Sequence, residues 1–191
     1  MITQMEQQYY ATKKQTIEMK PIDTKGIILD IGGGGEGIIG RLNGKQVVAI
    51  DIRLDELQET KNDGLKVVMD ATDLTFLPSS FDVVTSFFSL MYIKNDNHLK
   101  VFKEIHKVLR SNGKFHIWDV RIPQKHTDEK IFVIPLEVIL PGGKVNTGYG
   151  VGWENKEQDL KYFKDLAGKT GYKIIGEWAK DETFYLELNK K

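Results

Sequence analysis

The sequence predicts an α/β fold built on a doubly wound, mostly parallel sheet of seven strands. Short apolar segments of strand type alternate along the chain with amphipathic helical segments, which is the pattern of a parallel sheet with crossover helices. A glycine-rich loop at residues 32–37 directly follows the first of these strands. Ligands of doubly wound sheets bind beyond the carboxyl ends of the strands, so this loop also marks the expected site.

Five of the seven strands are expected in the first two thirds of the chain. In chain order they span residues 26–31, 46–51, 66–69, 81–88 and 114–120. The first two are almost continuously apolar, which indicates burial on both faces of a parallel sheet.

Helices are expected to connect these strands. A short helix follows the glycine loop, and a second covers residues 55–60. Over residues 97–110 the apolar side chains recur at helical spacing, which predicts an amphipathic helix that Gly113 terminates. His106 falls on its apolar face and is interpreted as a structural histidine.

The two ends complete what is predicted to be one domain over residues 1–191. Residues 3–20 are interpreted as an amphipathic helix ended by Pro21, within a helical lid over residues 1–24. Residues 124–154 are expected to form an inserted β-hairpin.

After the hairpin, a helix over residues 156–170 precedes two closing strands. These strands, residues 172–179 and 183–189, are joined by only three residues, and so short a link requires an antiparallel pair. The sheet is therefore expected to be parallel except at its C-terminal end.

Composition restricts the possible functions. The 27 basic and 27 acidic residues give a formal charge of zero, so the basic surface expected of a nucleic-acid-binding protein is not predicted. The chain has no cysteine, which excludes disulfides and a cysteine nucleophile. No signal-peptide pattern and no long apolar run is present, so a cytoplasmic protein without a membrane partner is expected.

The glycine loop is compatible with two classes of cofactor. Gly32, Gly34 and Gly37 have the spacing of a dinucleotide-binding fingerprint, and Asp51 lies 19 residues beyond Gly32, where an acidic side chain binds ribose hydroxyls. Asp30, however, stands two residues before the first glycine. A carboxylate there repels a pyrophosphate, whereas it attracts the ammonium and sulfonium groups of S-adenosylmethionine. We therefore predict S-adenosylmethionine as the cofactor, with a nicotinamide dinucleotide as the alternative.

Together, the order of elements, the Asp-x-Gly-x-Gly loop, the acidic end of the second strand and the closing strand pair resemble class I S-adenosylmethionine-dependent methyltransferases of the small-molecule type, whose fold is Rossmann-like. The resemblance implies that the methionine end of the cofactor lies on Asp30, Gly32, Gly33 and Gly34. It implies further that Asp51 binds both ribose hydroxyls and that Ile52 flanks the adenine, while Asp70, followed by Ala71, accepts from the adenine amino group. The alternatives are a helix-capping role for Asp51, alone or in addition, and a turn role for Asp70.

The segment after the fourth strand is expected to face the methyl group and its acceptor. Ser86 and Phe87 are predicted to contact the cofactor, and the acceptor pocket is predicted to be lined by Phe87, Ser89, Met91 and Tyr92. Many small-molecule members of the family have Leu-His-His-Ile where this chain has Leu-Met-Tyr-Ile, so the family histidine is missing. The base is not identified, and the candidates are Tyr92 and a residue of the hairpin. The loop also has Glu36 where glycine is commoner.

No metal site is predicted. The four histidines show no metal-ligand spacing, and Asp119, at the end of the fifth strand, lacks the Asp-Asn partner of a catechol-type site.

The expected function is methyl transfer to a small-molecule acceptor by in-line displacement. The rivals are a non-catalytic cofactor-binding module of the same fold and a nicotinamide-dependent oxidoreductase. The hairpin over residues 130–153 is interpreted either as a lid over the acceptor or as the surface of a homodimer.

Overall fold

The computed structural model describes residues 9–191. Eleven strands and four α-helices follow one another in these residues. They are β1 (Tyr9–Ala11), β2 (Gln15–Glu18), β3 (Ile28–Ile31), α1 (Ile38–Asn43), β4 (Val47–Asp51), α2 (Leu54–Glu59), β5 (Leu65–Val68), β6 (Phe81–Phe87), α3 (Asn95–Val108), β7 (Leu109–Val120), β8 (Ile131–Leu140), β9 (Gly143–Gly152), α4 (Leu160–Lys169), β10 (Tyr172–Lys180) and β11 (Thr183–Lys190). Short 3-10 turns occupy Gly44–Gln46 and Leu90–Tyr92.

The predicted seven-stranded sheet is confirmed. Its order is β10-β11-β7-β6-β3-β4-β5, and the five strands from β7 to β5 are parallel to one another. Strand β11 runs antiparallel to both of its neighbours, β7 and β10. From β3 the sheet extends through β4 and β5 on one side and through β6 and β7 on the other, so a crevice opens at the carboxyl ends of β3 and β6, beside the glycine loop.

The two faces of this sheet are covered differently. On one face α3 and α4 pack through residues such as Phe102, Ile105 and Phe163. On the other face α1 shares the covering with a second, four-stranded sheet, in which β8 pairs with β9 on one side and with β1 and β2 on the other. Phe132 and Ile134 of β8 belong to the core of this second face.

The predicted inserted hairpin is present. Strands β8 and β9 are antiparallel in register from Ile131 opposite Gly152 to Leu140 opposite Gly143. Alternate residues of β8 are buried against the main sheet, as the apolar alternation indicated.

The prediction of an N-terminal helix over residues 3–20 is wrong for the residues that the structure describes. Residues 9–18 contain β1 and β2, which pair parallel with β8. Gln15 and Ile17 are buried while Thr16 and Glu18 are exposed, and this period of two belongs to a strand. Residues 1–8 of the expected lid lie outside the described residues.

Two predicted helix boundaries also differ. Helix α3 ends at Val108, five residues before Gly113, because Leu109 already pairs with Phe81 as the start of β7. Helix α4 begins at Leu160 rather than at 156, since the Asp159 side chain accepts a hydrogen bond from the Tyr162 N–H at 2.7 Å and caps the first turn. No helix within residues 9–191 has the length and apolar character needed to cross a membrane.

Candidate functional site

A cavity of about 780 Å³ lies at the carboxyl ends of the central strands. Most of the residues predicted for the cofactor and the acceptor line it. They are Asp30, Gly32, Gly33, Gly34, Asp51, Ile52, Asp70, Ala71, Phe87, Ser89 and Tyr92. The topology thus brings the loops after β3, β4, β5 and β6 into one site, as a doubly wound sheet requires.

Asp30 forms the buried base of this cavity. Its side chain is only 3% exposed, and its Oδ1 accepts a hydrogen bond from the Thr85 hydroxyl at 2.7 Å. Burial raises the pKa of Asp30 to about 7, an effect that the Thr85 hydrogen bond opposes and the nearby Asp51 carboxylate reinforces. Without a ligand, this carboxyl is therefore divided between its neutral and ionised forms near neutral pH.

The glycine loop packs closely around the two carboxylates. A Cβ at Gly33 would lie 2.6 Å from Asp30 Oδ2, and one at Gly34 would lie 2.9 Å from Asp51 Oδ2. Gly33 N–H donates to the Ile50 carbonyl and Gly35 N–H to the Glu56 carbonyl. Because these bonds hold the loop, only its remaining N–H groups can bind a ligand carboxylate.

Asp51 and Asp70 both make a local turn and line the cavity. Asp51 Oδ1 accepts from the Arg53 N–H at 2.9 Å, and Asp70 Oδ1 accepts from the Thr72 N–H at 2.7 Å. Asp51 is not the N-cap of α2, a position that Arg53 occupies. Each carboxylate keeps a second oxygen for a ligand, so the local and the ligand-binding roles are compatible.

The family described as "Methyltransferase domain" matches residues 29–117 of this chain. These 89 residues, just under half of the chain, are similar to methyltransferase domains. The match includes the loops that carry Asp30, Asp51 and Asp70, so the predicted resemblance to class I S-adenosylmethionine-dependent methyltransferases is confirmed.

One curated relative and several solved structures are also similar to this chain. The sterol 4-C-methyltransferase strm-1 of Caenorhabditis elegans is 32% identical over 100 residues, which are 50% of this chain and 28% of that protein. The chain therefore spans little more than a quarter of the length of that relative.

Solved structures are similar at lower identity. An S-adenosylmethionine-dependent methyltransferase of Methanosarcina mazei has a TM-score of 0.63 and 17% identity, covering 88% of this chain and 94% of that one. Phosphoethanolamine N-methyltransferase 2 of Haemonchus contortus, in complex with S-adenosylmethionine, has a TM-score of 0.62 and 17% identity, covering 89% of this chain and 50% of that one. At these identities the likeness concerns the fold.

Two of the predicted contact residues do not line the cavity. Ser86 is fully buried, and its hydroxyl lies 3.0 Å from that of Ser89, which in turn donates to the Ile31 carbonyl at 2.7 Å. Met91 is also fully buried, because its neighbour Tyr92 takes the outward position of the 3-10 turn. Ser86 and Met91 therefore support the wall of the cavity from within the core and do not occupy the contact positions predicted for them.

The side of the cavity formed by β9 and the residues after β6 contains residues that the sequence patterns did not single out. Tyr149 of β9 lines the cavity and stacks on Phe88 with ring centroids 5.3 Å apart. Glu36 of the glycine loop accepts hydrogen bonds from the Thr147 hydroxyl and, at 3.4 Å, from the Tyr149 hydroxyl. The alternation in β9 placed Thr147 and Tyr149 on one face, but nothing in the sequence indicated that this face meets Glu36.

Tyr92 also lines the cavity, on the side predicted to hold the acceptor. Burial raises its pKa to about 12, and the carboxylates of Asp119 and Glu36 add to the shift. A phenol with this pKa keeps its proton at neutral pH. Tyr92 therefore fits the role of a hydrogen-bond donor better than that of the base for which it was a candidate.

A polar cluster outside the cavity supports the 3-10 turn Leu90–Tyr92. Lys156 Nζ donates to the carbonyls of Met91, Tyr92 and Ile93 at 2.8–3.0 Å. Asp119 is fully buried, with a pKa raised to about 7 by burial, and its Oδ1 accepts from Gln158 Nε2 at 2.8 Å. Neither residue lies in the cavity. In the described part of the chain, no three His, Asp or Glu side chains are grouped to hold a metal ion.

Proposed function

We propose that this protein transfers the methyl group of S-adenosylmethionine to a small-molecule acceptor by in-line displacement. The supporting observation is that Asp30, Asp51 and Asp70 line one cavity, in the order that the methionine, ribose and adenine parts of this cofactor require. The family match and the cofactor-bound structural relative support the same proposal.

The residues of the cavity fit the chemistry of that cofactor. When bound, S-adenosylmethionine supplies an electrophilic methyl group on a positively charged sulfur. Asp30 offers a buried negative charge to the positive groups at this end, where the low surrounding polarity strengthens the attraction. Asp51 Oδ2 and Asp70 Oδ2 offer acceptors to hydroxyl and amino donors.

The contribution of this chain to catalysis is then mainly alignment and exclusion of water. Phe87, Phe88 and Tyr149 form an aromatic wall beside the glycine loop, which removes water from the space where the acceptor is held. Holding the two reacting groups in line lowers the barrier by converting an encounter in solution into a reaction within one complex. We assign no general base.

The proposal predicts turnover. Incubation with S-adenosylmethionine and a panel of small amines, phenols, carboxylates and thiols is expected to release S-adenosylhomocysteine with at least one class of acceptor, and the Asp51→Asn variant is expected to lose that release. A protein that binds the cofactor but releases none with any acceptor class is a non-catalytic module, and the proposal of methyl transfer is then wrong.

Cofactor affinity is expected to depend on pH. Protonation of Asp30, with its pKa of about 7, competes with binding of a cationic ligand, so affinity falls as the pH falls through 7. Between about pH 8 and about pH 6 the loss should be roughly tenfold, because the ionised fraction falls by that factor. Near pH 6, calorimetry in buffers of different ionisation enthalpy should show release of nearly one proton per ligand bound.

Two variants test whether Asp30 is the group responsible for the pH dependence of cofactor affinity. Asp30→Asn should remove the pH dependence along with most of the affinity. Asp119→Asn changes the other buried carboxyl with a pKa of about 7, outside the cavity, and should retain the dependence. An affinity that rises as the pH falls would show that the neutral form of Asp30 is the one that binds.

The hairpin is proposed to act as a wall of the site. Gly148, Tyr149 and Gly150 of β9 line the cavity, which supports the lid interpretation. The homodimer through residues 130–153 stays a prediction that sedimentation at two concentrations tests, and the cytoplasmic location likewise stays a prediction.

A further inference from the structure

The acceptor side of the cavity has the chemistry of a site for a positive charge. Seven charged residues line the cavity, five acidic and two basic. Asp30, Asp51 and Asp70 are assigned to the cofactor, and Glu56 is paired with Arg53 at 3.0 Å. The remaining acid is Glu36, whose carboxylate accepts from the Thr147 and Tyr149 hydroxyls, while Arg41 Nε donates to the Glu36 backbone carbonyl at 2.6 Å.

Aromatic rings surround this unassigned carboxylate. Tyr149 donates to Glu36 and stacks on Phe88, which meets Phe87 edge to face with centroids 5.0 Å apart. Tyr92 lies close enough for the Glu36 carboxylate to influence its hydroxyl. Aromatic faces and a carboxylate on one wall are the groups that bind ammonium ions.

The backbone of this aromatic wall is strained at Phe88. Phe88 adopts a left-handed conformation, with φ at +50°, which a bulky side chain rarely takes. Its N–H donates to the Trp118 carbonyl at 2.8 Å and its ring is fixed by Tyr149. Strained backbone of this kind is typical of functional sites, where the surrounding structure holds it.

The wall lies on the acceptor side of the predicted cofactor position. In the sheet order β7-β6-β3-β4-β5, the adenine and ribose residues follow β5 and β4. Phe87 ends β6 and Phe88 follows it, on the other side of β3, and Tyr149 of β9 stacks on Phe88. The ammonium-binding groups therefore face the end of the cavity that is remote from the adenine.

We propose that the methyl acceptor is a small amine, whose nitrogen is held by Glu36, Tyr149 and Tyr92. This inference rests on the proposed methyl transfer. The lone pair of the neutral amine forms the new N–C bond while the C–S bond breaks and its electron pair remains on sulfur. The positive charge thus moves from sulfur to nitrogen, and the proton of a primary or secondary product then leaves to solvent.

The Glu36 carboxylate and the aromatic rings beside it stabilise the positive charge that develops on the amine nitrogen. Groups that interact more strongly with the transition state than with the neutral reactant accelerate the step. A phenolate or carboxylate acceptor would instead be repelled by Glu36. Thr147 and Tyr149 fix the carboxylate but leave it lone pairs for an amine N–H, since an ionised carboxylate accepts about four hydrogen bonds.

The test uses choline, a quaternary ammonium that cannot be methylated at nitrogen, and its uncharged carbon isostere dimethylbutanol. Both are titrated into the full chain saturated with S-adenosylhomocysteine, and binding is measured by calorimetry. Choline is expected to bind about tenfold more tightly than the isostere, as a desolvated cation on aromatic faces should. In a turnover assay, small primary amines should be the acceptors that release S-adenosylhomocysteine.

Matched variants assign the preference to this wall. Glu36→Gln and Tyr149→Leu should abolish the preference for choline while leaving the affinity for S-adenosylhomocysteine within about twofold. Glu137→Gln makes the same change on the outer face of the hairpin, where Glu137 pairs with Lys14 and Lys144, and should have no effect.

The outcomes that overturn the inference are distinct from failure of methyl transfer. Equal binding of choline and its isostere in the S-adenosylhomocysteine complex would exclude an amine subsite. So would turnover confined to phenols, carboxylates or sterols. If Glu36→Gln weakens S-adenosylhomocysteine instead of choline, Glu36 belongs to the cofactor site. If the wild-type chain binds no S-adenosylhomocysteine, the proposed function itself is wrong.

Discussion

Asp51→Asn is expected to weaken the binding of S-adenosylhomocysteine by about 10- to 150-fold, because a hydrogen bond to a charged group contributes roughly 1.5–3 kcal/mol. The substitution keeps a side-chain oxygen that can accept from the Arg53 N–H, and so preserves the turn after β4. It replaces the second oxygen with an NH2 group, which donates hydrogen bonds and cannot accept one from a ribose hydroxyl. The affinity is measured by calorimetric titration near pH 8, where Asp30 is largely ionised.

Asp55→Asn is the matched control for this prediction. Asp55 pairs with Arg53 on the exposed surface of α2 and does not line the cavity, so its loss should leave affinity unchanged. The removal of the Asp51 charge also lowers the pKa of Asp30, which favours binding, so the measured loss is a lower limit on the contribution of the Asp51 hydrogen bonds. Unchanged affinity in Asp51→Asn would show that Asp51 serves only the turn.

Gly32→Ala is expected to reduce the free energy of unfolding by about 2–5 kcal/mol, the sum of left-handed backbone strain and steric overlap. Gly32 has φ at +69°, and an added Cβ would lie 2.4 Å from the Cβ of Ser89. Ser89 is held by the Ile31 carbonyl and cannot move away without breaking that bond. Because both residues line the cavity, affinity for S-adenosylhomocysteine should fall as well.

The Gly44→Ala variant separates the backbone strain from the steric overlap. Gly44 has φ at +55° and ψ at −128°, a backbone conformation essentially restricted to glycine, but nothing lies within 4 Å of an added Cβ there. Its substitution should cost only the backbone strain, about 1–3 kcal/mol. Urea denaturation of both variants measures the difference. Equal losses would mean that the contact between Gly32 and Ser89 is not tight.

The main sheet could be predicted from sequence because each of its strands carries its own local signal. Buried parallel strands are continuously apolar, and the short link before β11 allows only an antiparallel return. Segments whose structure depends on distant partners could not be assigned in this way. Residues 9–18 are polar overall. They form strands only because they pair with β8, which lies more than 100 positions later in the chain.

The positions of Asp30, Asp51 and Asp70 at one cavity could be predicted for the same reason, since each lies within two residues of the carboxyl end of a recognisable strand. Thr85, which bonds Asp30, lies inside β6 and resembles an ordinary strand residue in the sequence. Tyr149 and Glu36 are 113 positions apart and meet only because the hairpin folds over the glycine loop. Ser86 and Met91 were assigned to the cavity from their positions alone, and the direction of their side chains excludes them.

The burial of Asp30 is the feature on which the choice of cofactor depends. A buried carboxyl with a pKa of about 7 is poorly stabilised until a positive group arrives. A pyrophosphate in the same place would bring a like charge to a site of low polarity and would raise that pKa further.

Calorimetric titration of the wild-type chain with S-adenosylmethionine and with NADH, near pH 8, tests this choice most directly. The proposed function predicts that S-adenosylmethionine binds with one molecule per chain, that NADH does not bind, and that Asp30→Asn loses most of the affinity for S-adenosylmethionine. Binding of NADH, or a cavity that takes up no S-adenosylmethionine, would contradict it.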